Sequence, residues 1–292
     1  MILWLASYPK SGNTWVRTII GQILKKNFEK DKVFKNSKKI RLYPSKADFI
    51  KFDDDFKYLI IKEDQRKKIF EKTVLNWKKS QSEINLNNEI NIFKTHNMLC
   101  KLNILNDTYS FTDLENSIGV IHIVRDPRNI ITSLINHFSF PNYDYALNFM
   151  INRDQTIGLA ENKIPQLLSS WDNHYNSWKR FPKNNFLIKY EDLLSNPKKQ
   201  IIELINYLKK FFDLNVNEFN IDQIILNSSF DNLKKLETEG FFDENSYNTN
   251  SLEIKKFFYL GSKNDWKNFL KKETSDKIEM TFKNEMNELG YI

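Results

Sequence analysis

Four stretches of the chain are apolar almost without interruption, and each stops abruptly. Ile2–Ala6 stops before Tyr8-Pro9, and Ile90–Phe93 stops at Lys94-Thr95-His96. Ile118–Val124 stops at Arg125-Asp126-Pro127, and Phe186–Tyr190 runs into Glu191-Asp192. Unbroken apolar runs of this length are what a strand buried on both faces requires, whereas a half-exposed strand alternates. Between the runs the period changes. Trp15, Val16, Ile19, Ile20, Ile23 and Leu24 recur at helical spacing, with Arg17, Gln22 and Lys25 opposite. Residues 63–79 predict a second helix, and Pro127 suits the first turn of another. Ile164, Leu167, Leu168, Trp171, Tyr175 and Trp178 trace a further amphipathic helix. Ile201–Phe212 and Ile278–Met286 trace two more. Residues 28–60 show no clean period, and 238–262 read as a long loop, a feature that often serves function. Strands alternating with helices predict an α/β fold: three layers, with a central parallel sheet flanked by helices. No repeat or linker divides the chain, so one domain over 1–292 is expected.

In such sheets ligands bind beyond the carboxyl ends of the strands. Three polar motifs follow directly on strand candidates, at 8–15, 94–96 and 125–133. Tyr8-Pro9-Lys10-Ser11-Gly12-Asn13-Thr14-Trp15 joins a strand to a helix N-terminus. Backbone N–H groups and the helix dipole there favour an anion, and Lys10 adds a full charge. An ordinary capped strand-to-helix turn would give the same pattern. Arg125 at a strand end can clamp an oxyanion with two parallel hydrogen bonds, and Ser133 lies eight residues on. Alternatively, Arg125 pairs with Asp126. Of four histidines, His96 sits at a strand end and suits a general base, whereas His122 lies inside a strand run and reads as a satisfied core residue.

Composition narrows the classes. Hydrophobic residues make up 40% of the 292, enough for a core, so a disordered chain is excluded. The net charge is +7, but only seven of the 44 basic residues are Arg and the lysines are spread throughout. That describes a solvated surface better than a polyanion-binding stripe. A single cysteine, Cys100, excludes internal disulfides and multi-cysteine metal sites, and fits a reducing, cytoplasmic setting. No run is long enough to span a bilayer, and Met1–Ser7 lacks the basic start of a signal peptide.

Taken together, the motifs resemble the sulfotransferases that use 3′-phosphoadenosine 5′-phosphosulfate (PAPS). Tyr8–Trp15 is similar to that family's 5′-phosphosulfate loop, with Asn13 where a Thr is usual. Arg125 and Ser133 match its 3′-phosphate pair at the same separation. Lys94-Thr95-His96 matches the segment that carries the catalytic base. Lys189–Asp192, Ser228-Ser229-Phe230 and Gly261–Trp266 resemble three further family segments, the last with Asn264 in place of a Gly. The resemblance covers nearly the whole chain in order, and implies a P-loop NTPase-like sulfotransferase fold. It implies catalytic roles for His96 (base), Lys10, Lys94 and Ser133. It implies nucleotide contacts by Lys10, Ser11, Gly12, Asn13, Thr14, Trp15, Arg125, Ser133, Tyr190, Ser228, Phe230 and Gly261. It implies PAPS as donor, PAP as product, no metal, and a small-molecule or glycan acceptor lined by 28–60, 139–160 and 238–258. Nucleic acid is not an expected partner. The basic pair usual before Gly261 is replaced by Tyr259 and Leu260, with Lys255, Lys256 and Lys263 as candidate substitutes. The other readings are a P-loop nucleotide kinase, which would want a Gly-Lys-Ser/Thr loop ending, and a nucleic-acid binder.

Overall fold

The computed structural model describes residues 1–53, 56, 66–158, 163–244, 246–247 and 254–292. In chain order the elements begin with β1 (Ile2–Ser7), α1 (Asn13–Lys25), α2 (Val33–Ser37), α3 (Arg66–Asn85) and β2 (Asn91–Thr95). Next come β3 (Lys101–Ile104), β4 (Asp107–Ser110), β5 (Ser117–Val124), α4 (Pro127–Phe138) and α5 (Tyr143–Ile151). These are followed by β6 (Thr156–Ile157), β7 (Gln166–Leu167), α6 (Trp171–Lys179), β8 (Asn185–Lys189) and α7 (Tyr190–Ser195). Then follow α8 (Pro197–Leu208), α9 (Ile221–Asn227), α10 (Phe230–Thr238), β9 (Ser246–Tyr247) and β10 (Ile254–Lys255). α11 (Lys272–Thr281) and α12 (Lys283–Leu289) complete the chain. The four apolar runs of the sequence become β1, β2, β5 and β8, a sheet ordered β2-β1-β5-β8, in which β8, at one edge, is not buried on both faces: Leu187 is exposed. β1 and β2 pair in parallel from Ile2↔Asn91 to Ala6↔Thr95. This is an α/β fold with a central parallel sheet flanked by helices.

The chain gathers into two compact units. The first is Met1–Tyr8, Arg41–His122 and Met150–Leu187. The second is Pro9–Ile40, Ile123–Phe149 and Ile188–Ile292. In the first, every residue of β1 is buried, and the fully buried Trp4 is surrounded by aromatic rings. Its centroid lies 5.4 Å from Tyr43, 5.1 Å from Phe111 and 6.3 Å from Trp178. Its indole N–H is not wasted, donating to Ser117 Oγ at 2.7 Å. The outer side of β2 carries one further short pairing. Lys94 N donates to Arg41 O (3.0 Å) and Tyr43 N to Lys94 O (2.9 Å). The second unit packs Val33 and Phe34 against Leu233, Leu236, Phe242 and Phe258, with Trp15, Phe230 and Phe257 at its margin.

One element departs from its periodicity. The helix expected from Ile164 begins only at Trp171, and Gln166–Leu167 is a strand paired with Thr156–Ile157. Pro165 biases Ile164 away from helical backbone. Ser169 takes a left-handed φ of 61°, and Ser170 is extended as the N-cap. The spacing of Ile164, Leu167 and Leu168 therefore mimics a helical face in a segment that folds otherwise. The long 238–262 segment contains the short pairing of β9 with β10, and 245 and 248–253 lie outside the described residues.

Candidate active site

In the second unit the loop after β1 turns on two left-handed residues, Lys10 (φ 68°) and Gly12 (φ 103°). Gly12 is the N-cap of α1, and here glycine is demanded twice. Its φ disfavours a side chain, and a Cβ would sit 2.7 Å from Tyr190 Cδ2. Tyr190 in turn lies under the Arg125 guanidinium (4.0 Å to the ring centroid) and edge-on to Trp15 (5.4 Å). Arg125 Nη1 donates to Lys10 O (3.0 Å) and approaches Ser133 Oγ at 3.4 Å. Gly12, Trp15, Arg125, Ser133 and Tyr190 are therefore one cluster around the Lys10 backbone.

Arg125 is not spent on Asp126. That carboxylate caps α4 through Arg128 N (2.9 Å) and pairs with the Arg128 guanidinium (2.7 Å), which also reaches Glu279 (2.6 Å) and lies over Trp266. The second arginine takes the structural role and leaves the first for the loop. Two buried polar atoms of the cluster have no hydrogen-bond partner, Arg125 Nε and Ser11 Oγ. Orphaned buried donors are costly, and beside a helix N-terminus they suit an anion. Asn13 and Thr14 are also buried in the first turn of α1. The Lys10 ammonium lies 4.0 Å over the Phe257 ring, and its pKa falls from 10.5 to about 7. Burial is the main cause and nearby Arg125 the second, while Glu237 opposes both. A lysine poised there gains much from a bound anion.

Asn264 does more than fill the place of a glycine. Its side chain donates to Asn129 O (2.9 Å) and Ser133 Oγ (3.0 Å) and accepts from Thr132 Oγ1 (2.6 Å). It ties the Gly261–Trp266 segment to α4 at Ser133. Gly261 (φ 57°) lets Phe230 approach, since a Cβ there would lie 2.6 Å from the ring. Ser228 is committed to its helix, its Oγ donating to Ile224 O at 2.7 Å. Of the replaced basic pair, Tyr259 is exposed and Leu260 half-buried. Lys256 and Lys263 are exposed, and the Lys255 side chain lies outside the described residues.

In the first unit His96 follows β2 directly. Its Nδ1 lies 2.7 Å from Ser7 O, a carbonyl that can only accept. The proton is therefore assigned to Nδ1, which makes Nε2 the unprotonated nitrogen that a base needs. Its backbone N–H donates to Gln166 Oε1 (3.0 Å), and the His174 ring hydrogen-bonds its backbone. Gln166 and His174 are supports that spacing did not single out. Their signal is tertiary, because both are buried polar residues on neighbouring elements. Burial drives His174 well below its usual range and His122 down to about 3. His122 is a core residue as expected, but not a satisfied one: neither ring nitrogen has a partner. Lys94 pairs in β2 opposite Leu5. Of the expected acceptor-lining segments, 139–160 contributes a cluster of aromatic rings. Phe140 lies 5.3 Å from Phe138 and 5.2 Å from Phe149. Residues 54–55, 57–60, 159–160, 245 and 248–253 fall outside the described residues. Among the described residues no His, Cys, Asp and Glu side chains gather as metal ligands would, and no helix is long and apolar enough to cross a membrane.

The chain is 24% identical to sulfotransferase 1B1 of Canis lupus familiaris over 291 residues, covering 97% of this chain and 82% of that one. It is 24% identical to human sulfotransferase 1E1, covering 98% and 84%. Among solved structures it resembles retinol dehydratase in complex with retinol and PAP (TM-score 0.58, 18% identity, 98% of this chain and 81% of that one). It also resembles mouse sulfotransferase SULT7A1 complexed with PAP (TM-score 0.55, 16% identity, 98% and 84%). The sulfotransferase domain model matches residues 2–290, and the chain belongs to that family.

Proposed function

We propose that this sulfotransferase takes its sulfuryl group from PAPS, binds it with the Lys10–Trp15 loop and Arg125, and uses His96 to deprotonate a hydroxyl or amine acceptor. The observation that carries the reading is the Arg125 clasp. A buried guanidinium holds the Lys10 carbonyl and meets Ser133, and both its Nε and the buried Ser11 Oγ are without a hydrogen-bond partner.

Sulfuryl transfer is an in-line displacement, with catalysis resting on positioning and charge stabilisation. A bond forms from the acceptor heteroatom to sulfur while the bond from sulfur to the phosphate oxygen breaks. The acceptor proton passes to Nε2 of His96, whose other nitrogen is anchored on Ser7 O. Lys10, charged once a polyanion is bound, neutralises the oxygen that leaves with PAP. Lys94 holds the transferring oxygens, and Ser133 and Arg125 take the 3′-phosphate. Trp15, Tyr190 and Phe230 offer aromatic faces to adenine, and Gly261 offers a backbone N–H. Asn13, Thr14 and Ser228 line the same nucleotide site. Residues 1–292 act as one sulfotransferase domain without a metal. The acceptor is a small molecule or glycan, and a cytoplasmic setting suits the lone Cys100 thiol. A kinase reading lacks its loop ending, and a nucleic-acid binder does not need the clasp.

The test is a melt with PAP, followed by an acceptor panel with PAPS in which PAP release is read. At a hundredfold excess over Kd, PAP should add about 2.7 kcal/mol of stability. An unchanged Tm in saturating PAP sinks the proposal.

A further inference from the structure

The first unit contains a cleft of about 610 Å³ that includes none of the residues assigned above to nucleotide, base or acceptor. Its size lies within the roughly 300–1,000 Å³ of small-molecule pockets. One wall is the Met98–Lys101 segment, which leaves β2 just after His96. The others are the β4 end with the turn after it, and α6 with Phe181 and Pro182 behind it.

The lining divides by chemistry. Met98, Leu99, Leu114, Phe181 and Pro182 make an apolar surface. The lining also includes Asn173, Ser177 and Arg180, which recur at the three- and four-residue spacing of one helix face. Lys101 adds a second cation from β3. Most of the neutral polar groups are already committed. Ser177 Oγ donates to His174 O (2.8 Å) and accepts from Leu99 N (2.9 Å). Thr112 Oγ1 donates to Gln81 (2.6 Å), and Asn173 Nδ2 donates to Ser169 Oγ (3.3 Å).

The charges do not balance within the cleft. Its one carboxylate, Asp113, accepts from Asn116 N and Nδ2 (both 2.9 Å) and lies 3.6 Å from Lys78 Nζ outside. Arg180 and Lys101 have no ion-pair partner among the described residues. The end of α6 would repel an anion through its free carbonyls. Asn185 Nδ2 blunts that effect by donating to Trp178 O (2.7 Å) and Lys179 O (3.2 Å). What remains is a cleft that combines an apolar lining with two unspent cations, one of them a guanidinium that binds oxyanions in a fork.

We propose that this cleft is a second small-molecule site, selective for an amphipathic organic anion. The flat or alicyclic body lies on Leu99, Leu114 and Phe181, and the oxyanion head meets Arg180 and Lys101. The site does not depend on the nucleotide reading, because none of its residues serves that role.

The test uses 1-anilinonaphthalene-8-sulfonate as the probe and its uncharged congener N-phenyl-1-naphthylamine as the control. Both are titrated by fluorescence into the full-length protein with PAP at saturation. The sulfonate should bind clearly tighter than the neutral probe. Arg180→Gln and Lys101→Gln should each weaken it by about three- to tenfold, the size of one partly exposed charge-assisted contact. Both positions are exposed, so the variants keep the wild-type melt. The proposal is overturned by equal affinity for the two probes, by sulfonate affinity that the double variant leaves unchanged, or by no binding in the presence of PAP.

Discussion

The Lys10 ammonium makes a quantitative prediction about nucleotide affinity and pH. In the free protein its pKa is held at about 7, chiefly by burial, with Arg125 adding repulsion and Glu237 partly offsetting both. A bound polyanion reverses that balance and returns the group toward its ordinary 10.5. Below pH 7 Lys10 is charged in both states, so its contribution to affinity is flat. Above pH 7 the free protein loses a proton that the complex must recover. From pH 7 to pH 9 the charged fraction of the free form falls from about one half to about 1%, so Kd for PAP should rise by about 50-fold. PAP itself is already fully ionised over most of this range, since phosphate monoesters titrate near 6. Isothermal titration at half-unit steps measures the slope, and Lys10→Met supplies the reference. That variant should bind weakly and nearly independently of pH. The stability of the free protein should move the other way. A lysine whose folded pKa is lowered makes unfolding harder as pH rises from 7 toward 10.5, and the wild-type minus Lys10→Met difference should show that sign. A PAP Kd that stays level between pH 7 and 9, or a slope that survives in Lys10→Met, refutes the argument.

Two further perturbations separate roles within the proposed site. His96→Ala should lower turnover by about 10²- to 10⁴-fold while PAP affinity stays within twofold, since a base contributes that much and does not touch the nucleotide. Near-normal rates would remove His96 from the mechanism. Asn264→Gly, which restores the residue usual at that place, should lower stability by about 1–3 kcal/mol in a denaturant melt. It removes the contacts of Asn264 with Asn129 O, Ser133 Oγ and Thr132 Oγ1, although Thr132 Oγ1 keeps Asn129 O as an acceptor. An unchanged melt would mean that the segment is held by something other than Asn264.

The sheet and the loop between β1 and α1 were legible because each depends on local chemistry. β1 and β5 are buried almost throughout and nearly all apolar, while β2 and β8 are partly exposed but centre on Ile92-Phe93 and on Phe186, Leu187 and Ile188, so all four announce themselves. At or just after their carboxyl ends come the residues proposed for the chemistry, Lys10, Lys94, His96 and Arg125. What escaped has a different origin. The β3–β4 hairpin turns on Leu105 and Asn106, both with positive φ, and Leu is not a residue that advertises such a turn. Pro165 and Ser169 broke a helix that Ile164 and Leu168 seemed to continue. The service of Gln166 and His174 to His96 depends on contacts across the fold, at a range no spacing encodes. The division of labour between Arg125 and Arg128 is similar, because Glu279 and Trp266, which hold Arg128, come from the far end of the chain.

The short pairing of Arg41–Tyr43 along β2 bears on how the chain behaves in company. β2 is the last strand on its side of the sheet, and a bare outer strand offers a row of unpaired N–H and C=O groups to any other extended chain. Here Lys94 gives both its N–H and its carbonyl to that neighbour. The cover lies at the very residue that leads into Thr95 and His96, so an intruding strand would have to strip Arg41–Tyr43 away first. The same two hydrogen bonds that fix the approach to His96 thus also make this margin of the sheet a poor template for aggregation.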